Sequence, residues 1–299
     1  MKGVRNEKMA RIKNARIIRW LKGKCGRVLL VILALLVWLP VLILLICSFY
    51  GEQEIIDCFG GVLLSNGNTA KLHALPSYPT LKGYVELLLD SLGFFVMFWN
   101  SCKQVFPILI GQVLIGVPAA WAFAHFVFPG KKILFHLYML LMILPFQVTM
   151  VSSYLVLSKM HLLDTHGAII LPGIFATFSV FIITKTFREI PKPLLEAAAI
   201  DGAGEFRIFR YVAVPMARPG ILSAVIVSFL EYWNAIEQPM TFLETKSKWP
   251  LSLYLPNITV DKMGVSFCAS VIMMLPAVLL FLWGQSYLEQ GIAASGLKE

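Results

Sequence analysis

Glu231-Tyr232-Trp233-Asn234, followed by Glu237, places two carboxylates, an amide and two aromatic rings inside the otherwise apolar run 219–243. Tyr and Trp offer flat faces for stacking a ring-shaped solute, while Asn and Glu exchange hydrogen bonds with hydroxyls. A carboxylate pair would equally suit a cation. On a continuous helix Glu231, Asn234 and Gln238 share one face at i, i+3 and i+7. A second constellation, 196–215, reads Glu-Ala-Ala-Ala-Ile-Asp-Gly-Ala-Gly-Glu-Phe-Arg-Ile-Phe-Arg-Tyr-Val-Ala-Val-Pro and lies between two long apolar runs. Its chemistry is that of contact. Alanines let another backbone approach closely, Phe206 or Phe209 fits a partner's pocket, and Glu196 and Asp201 suit basic groups there.

Other chemistries lack their residues. There is no GxxxxGK[ST] loop to cradle phosphates, since Gly23-Lys24 and Gly130-Lys131 stand without it. Cys25, Cys47, Cys58, Cys102 and Cys268 form no CxxC, and His125, His136, His161 and His166 form no HExxH. Metal binding and catalysis are not expected. Cys58 reads as a lone free thiol in a loop.

The elements that must position these residues are membrane helices. Hydrophobic residues are 58% of the chain, charged residues 14%, and mean hydropathy is +0.75, far from soluble averages. A bilayer core needs about 20 mostly uncharged residues per helix. Runs at 28–49, 104–130, 133–158, 165–184, 219–243 and 263–288 meet that need, so the expected fold is all-α with six transmembrane helices. Glu231 and Glu237 then lie within lipid, where charge is costly and marks function. Tyr84 to Trp99, interrupted by Glu86 and Asp90, reads as an interfacial helix leading into the second span. Asn100, Gln104 and Gln112 either line the same path or pack between helices. Gly111, Gly116 and Ala119 belong at helix–helix contacts.

With the N-terminus inside, nineteen of the 26 Lys and Arg fall on inner segments, which places both termini in the cytoplasm. The basic arm 1–27 suits anionic lipid; it carries no nucleic-acid motif, and no cleaved leader is expected. Within 188–218, Pro191 and Pro193 stop one helix and start another. Asp201-Gly202 stops that one in turn, and Glu205 to Val212 resumes before Pro215 and Pro219.

The spacing Glu196-Ala197-Ala198, Asp201-Gly202-Ala203 and Val212-x-x-Pro215 resembles the EAA coupling loop of ABC-importer permeases. The likeness extends over about residues 80–299. It includes Asn100-Ser101, Ala119-Ala120-Trp121-Ala122-Phe123-Ala124 with Phe128-Pro129-Gly130-Lys131-Lys132, Pro145-Phe146-Gln147-Val148, Leu162-Leu163-Asp164-Thr165, Trp233-Asn234 and Gly291…Gly296-Leu297-Lys298. Trp121 in place of Tyr, Val212-Ala213-Val214 in place of Ile-x-Leu, and the terminal Glu299 depart from the pattern. The group resembled is the carbohydrate-uptake one, of maltose/glycerol-phosphate type, and within it the smaller six-helix permease.

That resemblance implies a type I importer permease fold with a cytoplasmic EAA coupling helix. It divides the chain into a basic cytoplasmic arm 1–27, a first helix 28–49, an extracytoplasmic loop with interfacial helix 50–97, a core 98–288 containing the coupling loop 188–218, and a cytoplasmic tail 289–299. Coupling falls on Glu196, Ala197, Ala198, Asp201, Gly202, Ala203, Phe206, Phe209 and Pro215, and the substrate path on Glu231, Tyr232, Trp233, Asn234 and Glu237. The implied partners are two ATP-binding subunits, a second, larger permease, an extracytoplasmic solute-binding protein and the lipid bilayer of a bacterial inner membrane. ATP and Mg belong to the ATPase partner, and this chain binds no cofactor. The alternative is an ion-coupled secondary transporter or channel that uses Glu231 and Glu237.

Overall fold

The computed structural model describes residues 27–63, 73, 75–254 and 262–296. The basic arm up to Gly26, most of the loop 64–74, residues 255–261 and the last three residues of the tail lie outside the described residues. Every described regular element is helical. Among the described residues, four helices are long and apolar enough to cross a membrane, or up to six if each of two bent helix pairs counts as one span. The chain divides into two compact units, 1–83 with 263–271, and 84–262 with 272–299.

In the first unit, α1 (Arg27–Cys47) is exposed from Arg27 through Pro40, as a helix made of Val, Leu, Ile and Trp is when lipid is its solvent. Its end packs into a small core of Cys47, Tyr50, Ile55 and Cys58, the last two on α2 (Glu52–Leu63), with Ile43, Phe59, Met263 and Phe267 around them. The Cys58 thiol is free but not alone. It is buried and lies 3.3 Å from His73 Nδ1, and the Tyr50 hydroxyl donates to the His73 carbonyl. The isolated, loop-borne Cys58 expected from the sequence is therefore corrected to a helix-borne core residue.

The second unit is built around α3 (Leu92–His125), a continuous helix of 34 residues and about 50 Å. Here the sequence expectation needs correcting. Leu92 to Trp99 is not a helix separate from the second span but the first two turns of α3, and the break in the chain falls at Ser91 just before it. A π-helical turn at Gln112–Gly116 absorbs Pro107 and Pro118 on either side without ending the helix.

Next come α4 (Lys131–Ile143) and α5 (Phe146–Lys159), bent by 107°, where one continuous span over 133–158 was expected. Pro145 has no N–H to continue the ladder and forces Leu144 into extended backbone (φ −67°, ψ 124°). Each half is only about 20 Å long, too short to cross the hydrocarbon core alone. The chain continues through α6 (Gly167–Ile174) and α7 (Thr177–Arg188), together one 22-residue span, then α8 (Lys192–Ile200), α9 (Glu205–Met216), α10 (Arg218–Trp233), α11 (Glu237–Phe242) and α12 (Met263–Gly296).

Lipid gives helices no hydrophobic reason to associate, so the core of this unit relies on small residues and internal hydrogen bonds. A Cβ at Gly111 would stand 2.8 and 2.9 Å from Ile174 atoms, and one at Gly173 2.9 Å from Ile108. The α3–α6 crossing thus interlocks glycine with isoleucine in both directions. Gln112 donates to the Gly173 carbonyl (2.8 Å) and accepts from Ser179 (3.1 Å), whose hydroxyl lies 2.9 Å from that of Ser228. That relay ties α3, α6, α7 and α10 together. Gln112, left open as path or packing, is a packing residue.

Candidate functional site

Pro191, extended at φ −59° and ψ 124°, ends the chain path from α7 and sets Lys192 and Pro193 in the first turn of α8. A Schellman closure stops α8: the Gly202 N–H donates to the Ala199 carbonyl (3.1 Å) and the Ala203 N–H to the Ala198 carbonyl (3.0 Å). That closure requires left-handed backbone at Gly202, where φ is +81°. Gly204 then starts α9, its carbonyl accepting from Arg207 and Ile208, with Glu205 in the favoured acidic first turn. Helix α9 continues through Pro215, which does not end it as expected, and meets α10 at Ala217 with a bend of 70°.

This bracket is seated in the helix core. Leu195, Ile208, Ala213 and Ala217 are buried in one cluster with Trp121, Phe187 and Ile190, and Ala198, Ala203 and Phe209 pack against it. Trp121 of α3 lies 5.9 Å from the Phe209 ring and 5.3 Å from Phe187, and stacks on His125 at 4.3 Å. His125 Nε2 in turn lies 3.4 Å from Glu205 Oε2. The last turn of α3 therefore grips the bracket, a role that no sequence motif assigns to His125.

Of the residues expected at a partner surface, Glu196, Ala197, Asp201, Gly202, Phe206 and Pro215 are exposed, and Ala198, Ala203 and Phe209 are half-buried against the core. Phe206 and Phe209 thus divide the labour. Phe206 is 68% exposed, and Phe209 fills the chain's own core. Ile200, 87% exposed, and Tyr211, 69% exposed, share the outer surface and were missed. Their signal was present in the helix period: Ile200 falls about 140° around α8 from the buried Leu195.

The 231–237 group is dispersed. Helix α10 stops at Trp233, so Glu231, Asn234 and Gln238 do not share the expected face. Pro239 cannot donate to the carbonyl of Ala235, and its ring crowds that carbonyl, so α11 is a separate helix from Glu237. Trp233 is 4% exposed, stacked on Phe229 at 5.2 Å, and donates from Nε1 to the Met273 carbonyl (3.2 Å). It holds helices together and offers no open face to a solute, which corrects that expectation. Tyr232 is half-buried against the Ile108–Phe242 cluster. Glu231, Asn234 and Glu237 are exposed. Asn234 donates to the Leu230 carbonyl (2.8 Å), and Gln147 Nε2 donates to both Glu237 oxygens at 2.7 and 2.8 Å. Gln147 stands beside Pro145, so the side chains of two helix breaks meet here.

A polar clasp unassigned from sequence closes one end of the same unit. Asp164, at φ +55°, accepts from the Glu244 and Thr245 N–H groups (3.1 and 2.9 Å), the Thr245 hydroxyl (2.6 Å) and Lys248 Nζ (2.7 Å). Asn100 donates to the carbonyls of Ser247 (2.7 Å) and Trp249 (3.1 Å). Gln104 Nε2 donates to the Lys248 carbonyl (3.3 Å) and lies 3.1 Å from His166 Nδ1. Asn100 and Gln104 are therefore loop anchors.

The bond from Lys248, then those from Thr245, hold the Asp164 carboxyl well below the usual carboxylate range. A carboxyl depressed in the folded state contributes fully above its unfolded pKa of about 3.9 and loses its contribution only as pH falls below that. Hydrogen exchange at the Glu244 and Thr245 amides, corrected for intrinsic rates, is accordingly expected to keep constant protection from neutral pH down to about 4. Asp164→Ala should speed it roughly tenfold. Unchanged protection in that variant would remove the clasp.

Over residues 112–294 the chain matches the family described as binding-protein-dependent transport system inner membrane component. It is 27% identical over 262 residues to the arabinooligosaccharides transport system permease protein AraQ of Halalkalibacterium halodurans, covering 87% of this chain and 90% of that one. It is 30% identical over 261 residues to the diacetylchitobiose uptake system permease protein NgcG of Streptomyces coelicolor, covering 85% and 82%. Its fold is similar to that in the crystal structure of a bacterial ABC transporter involved in the import of the acidic polysaccharide alginate. The TM-score there is 0.75 at 21% identity, over 89% of this chain and 96% of that one. With the family matched across most of the chain, and helices long and apolar enough to span lipid, the protein belongs to the inner membrane components of binding-protein-dependent transport systems, the ABC-importer permeases.

Proposed function

We propose that this chain is the smaller permease subunit of an ATP-driven importer for a sugar or oligosaccharide. Two separate ATP-binding subunits hold ATP and Mg and hydrolyse the nucleotide, a second, larger permease completes the path, and an extracytoplasmic solute-binding protein delivers the solute. Both termini and the 188–218 bracket face the cytoplasm, a reading supported by the lysine and arginine bias. AraQ and NgcG, named for arabinooligosaccharides and diacetylchitobiose, support a hydroxyl-rich solute.

The observation that carries the reading is the bracket itself. Its inner side is fixed into the core through Leu195, Ile208 and Phe209, and its outer side leaves Phe206, Ile200 and Tyr211 uncovered. A rigid element seated on the spanning helices and open to a partner moves as one body when its socket closes. Nucleotide-driven closure of the ATPase pair would draw the bracket inward and switch the helices between inward- and outward-facing states. Glu231, Asn234 and Glu237 remain the residues offered to the solute path.

Co-purification with the ATP-hydrolysing subunit tests the assignment. Phe206→Ala should weaken retention of that subunit about tenfold or more, as truncation of an aromatic anchor does, without lowering the melting temperature of the chain. Phe209→Ala should instead lower the melting temperature by leaving a cavity. A Phe206→Ala variant that retains the ATPase as wild type does would remove Phe206 from the interface.

A further inference from the structure

The end of α3 where it turns into α4 gathers cations that no carboxylate among the described residues neutralises. Lys131 Nζ donates to the Phe126 carbonyl (2.6 Å), and Arg188 Nη2 donates to the Phe123 carbonyl (3.4 Å). The Arg188 guanidinium also lies over the Phe135 ring at 4.4 Å, and Lys185 Nζ over the Phe181 ring at 4.9 Å. Those two rings stack on each other at 6.0 Å, and Phe123 packs against Phe135 at 5.6 Å. Carbonyls at a helix end and aromatic faces hold cations in place without cancelling their charge. Among the described residues Lys131, Lys132, Lys185 and Arg188 make no ion pair, and the adjacent Glu189 makes none either.

Donor arithmetic points the same way. A lysine ammonium carries three N–H donors and a guanidinium five. Lys131 and Arg188 each direct one at a protein oxygen, so most of their donors have no protein partner among these bonds. Two neighbouring cations with spare donors suit a group that is anionic and rich in oxygen acceptors. The residues just after Lys132 identify the rest of the occupant. Ile133, Leu134 and Leu137 of α4 are all exposed, and Leu137 stands about 9 Å along the helix from Lys131. An apolar surface thus begins directly beside the cations and runs on past Leu137.

We propose that Lys131 and Arg188, supported by Lys132 and Lys185, bind the phosphate of an anionic phospholipid whose acyl chains lie along the exposed side of α4. The site needs only that the chain is a membrane component, and stands apart from the assignment of the bracket to an ATPase.

The assembled transporter, purified into detergent with an equimolar mixture of phosphatidylglycerol and phosphatidylcholine of identical acyl chains, provides the test, with retained lipid read by native mass spectrometry. Phosphatidylglycerol should be retained preferentially, less so at high salt, and Lys131→Gln/Arg188→Gln should weaken its retention by about fivefold per charge removed. Lys246→Gln, at a cation outside this corner, should change nothing. Should the double variant misfold, Lys132→Gln/Lys185→Gln alters exposed side chains and carries the same expectation. Equal retention of the two lipids in the assembled transporter, or retention unchanged in both double variants, would each overturn the site.

Discussion

Gly202→Val is expected to lower solute uptake by the assembled transporter roughly tenfold or more while the chain still folds and inserts. The strain at this position is of the backbone alone. Gly202 sits at φ +81°, and a Cβ there would meet nothing within 4 Å. An L-residue in left-handed backbone costs about 1–2 kcal/mol, and a β-branched one is worse. The chain can relieve that strain only by giving up the paired bonds from Gly202 to Ala199 and from Ala203 to Ala198. Losing them unlocks the angle between α8 and α9, so a push delivered on the exposed Phe206 no longer reaches Leu195 and Trp121 through one rigid body. Gly202→Asn is the informative control, because asparagine tolerates this backbone region, and it should keep most of the uptake. Uptake into proteoliposomes, measured beside ATPase activity, separates the outcomes. Hydrolysis that continues while uptake fails is the mark of a slack lever, and a valine variant as active as the asparagine one would take the turn out of the coupling path.

That turn was readable in the sequence because its cause is local: Asp201-Gly202 after an alanine-rich run has few conformations other than a helix stop. The spanning helices were readable for a similar reason, since lipid demands long uncharged runs. The features that sequence does not reveal are non-local or hidden by uniform composition. The run 133–158 carries no charge, so hydropathy gives one span, yet Pro145 bends it by 107°. In 219–243 the period puts Glu231, Asn234 and Gln238 on one helical face, but Pro239 starts a new helix, and the neighbouring Trp233 turns inward to Met273. The Asp164–Lys248 pair lies 84 residues apart in the chain, and no periodicity links its members. His125 gave no motif at all. Its place between Trp121 and Glu205 arises only from the packing of α3 against the bracket.

Packing also makes Gly220→Val the most damaging single change expected outside the bracket. Gly220 is the third residue of α10, and a Cβ there would fall 2.7 Å from both Cβ and Cγ2 of Thr186 on α7. Thr186 cannot move aside cheaply. It is β-branched, which restricts χ1, and its hydroxyl donates to the Ile182 carbonyl (3.2 Å). Overfilling a close-packed contact costs about 1–3 kcal/mol, and here the obstruction is near the backbone, so the helices themselves must separate. Thr186 precedes the end of α7 at Arg188 by one half-turn, and Gly220 comes after the start of α10 at Arg218 by the same interval. The Thr186–Gly220 contact therefore sets the distance between the two feet of the bracket. Gly220→Val should lower the melting temperature by several degrees and reduce uptake even where the protein survives purification. Thr186→Gly in the same chain should restore much of both, because it removes the atoms the new side chain meets. Rescue of stability without rescue of uptake would assign the loss to the valine itself. Rescue of neither would mean that α7 and α10 do not owe their separation to this glycine.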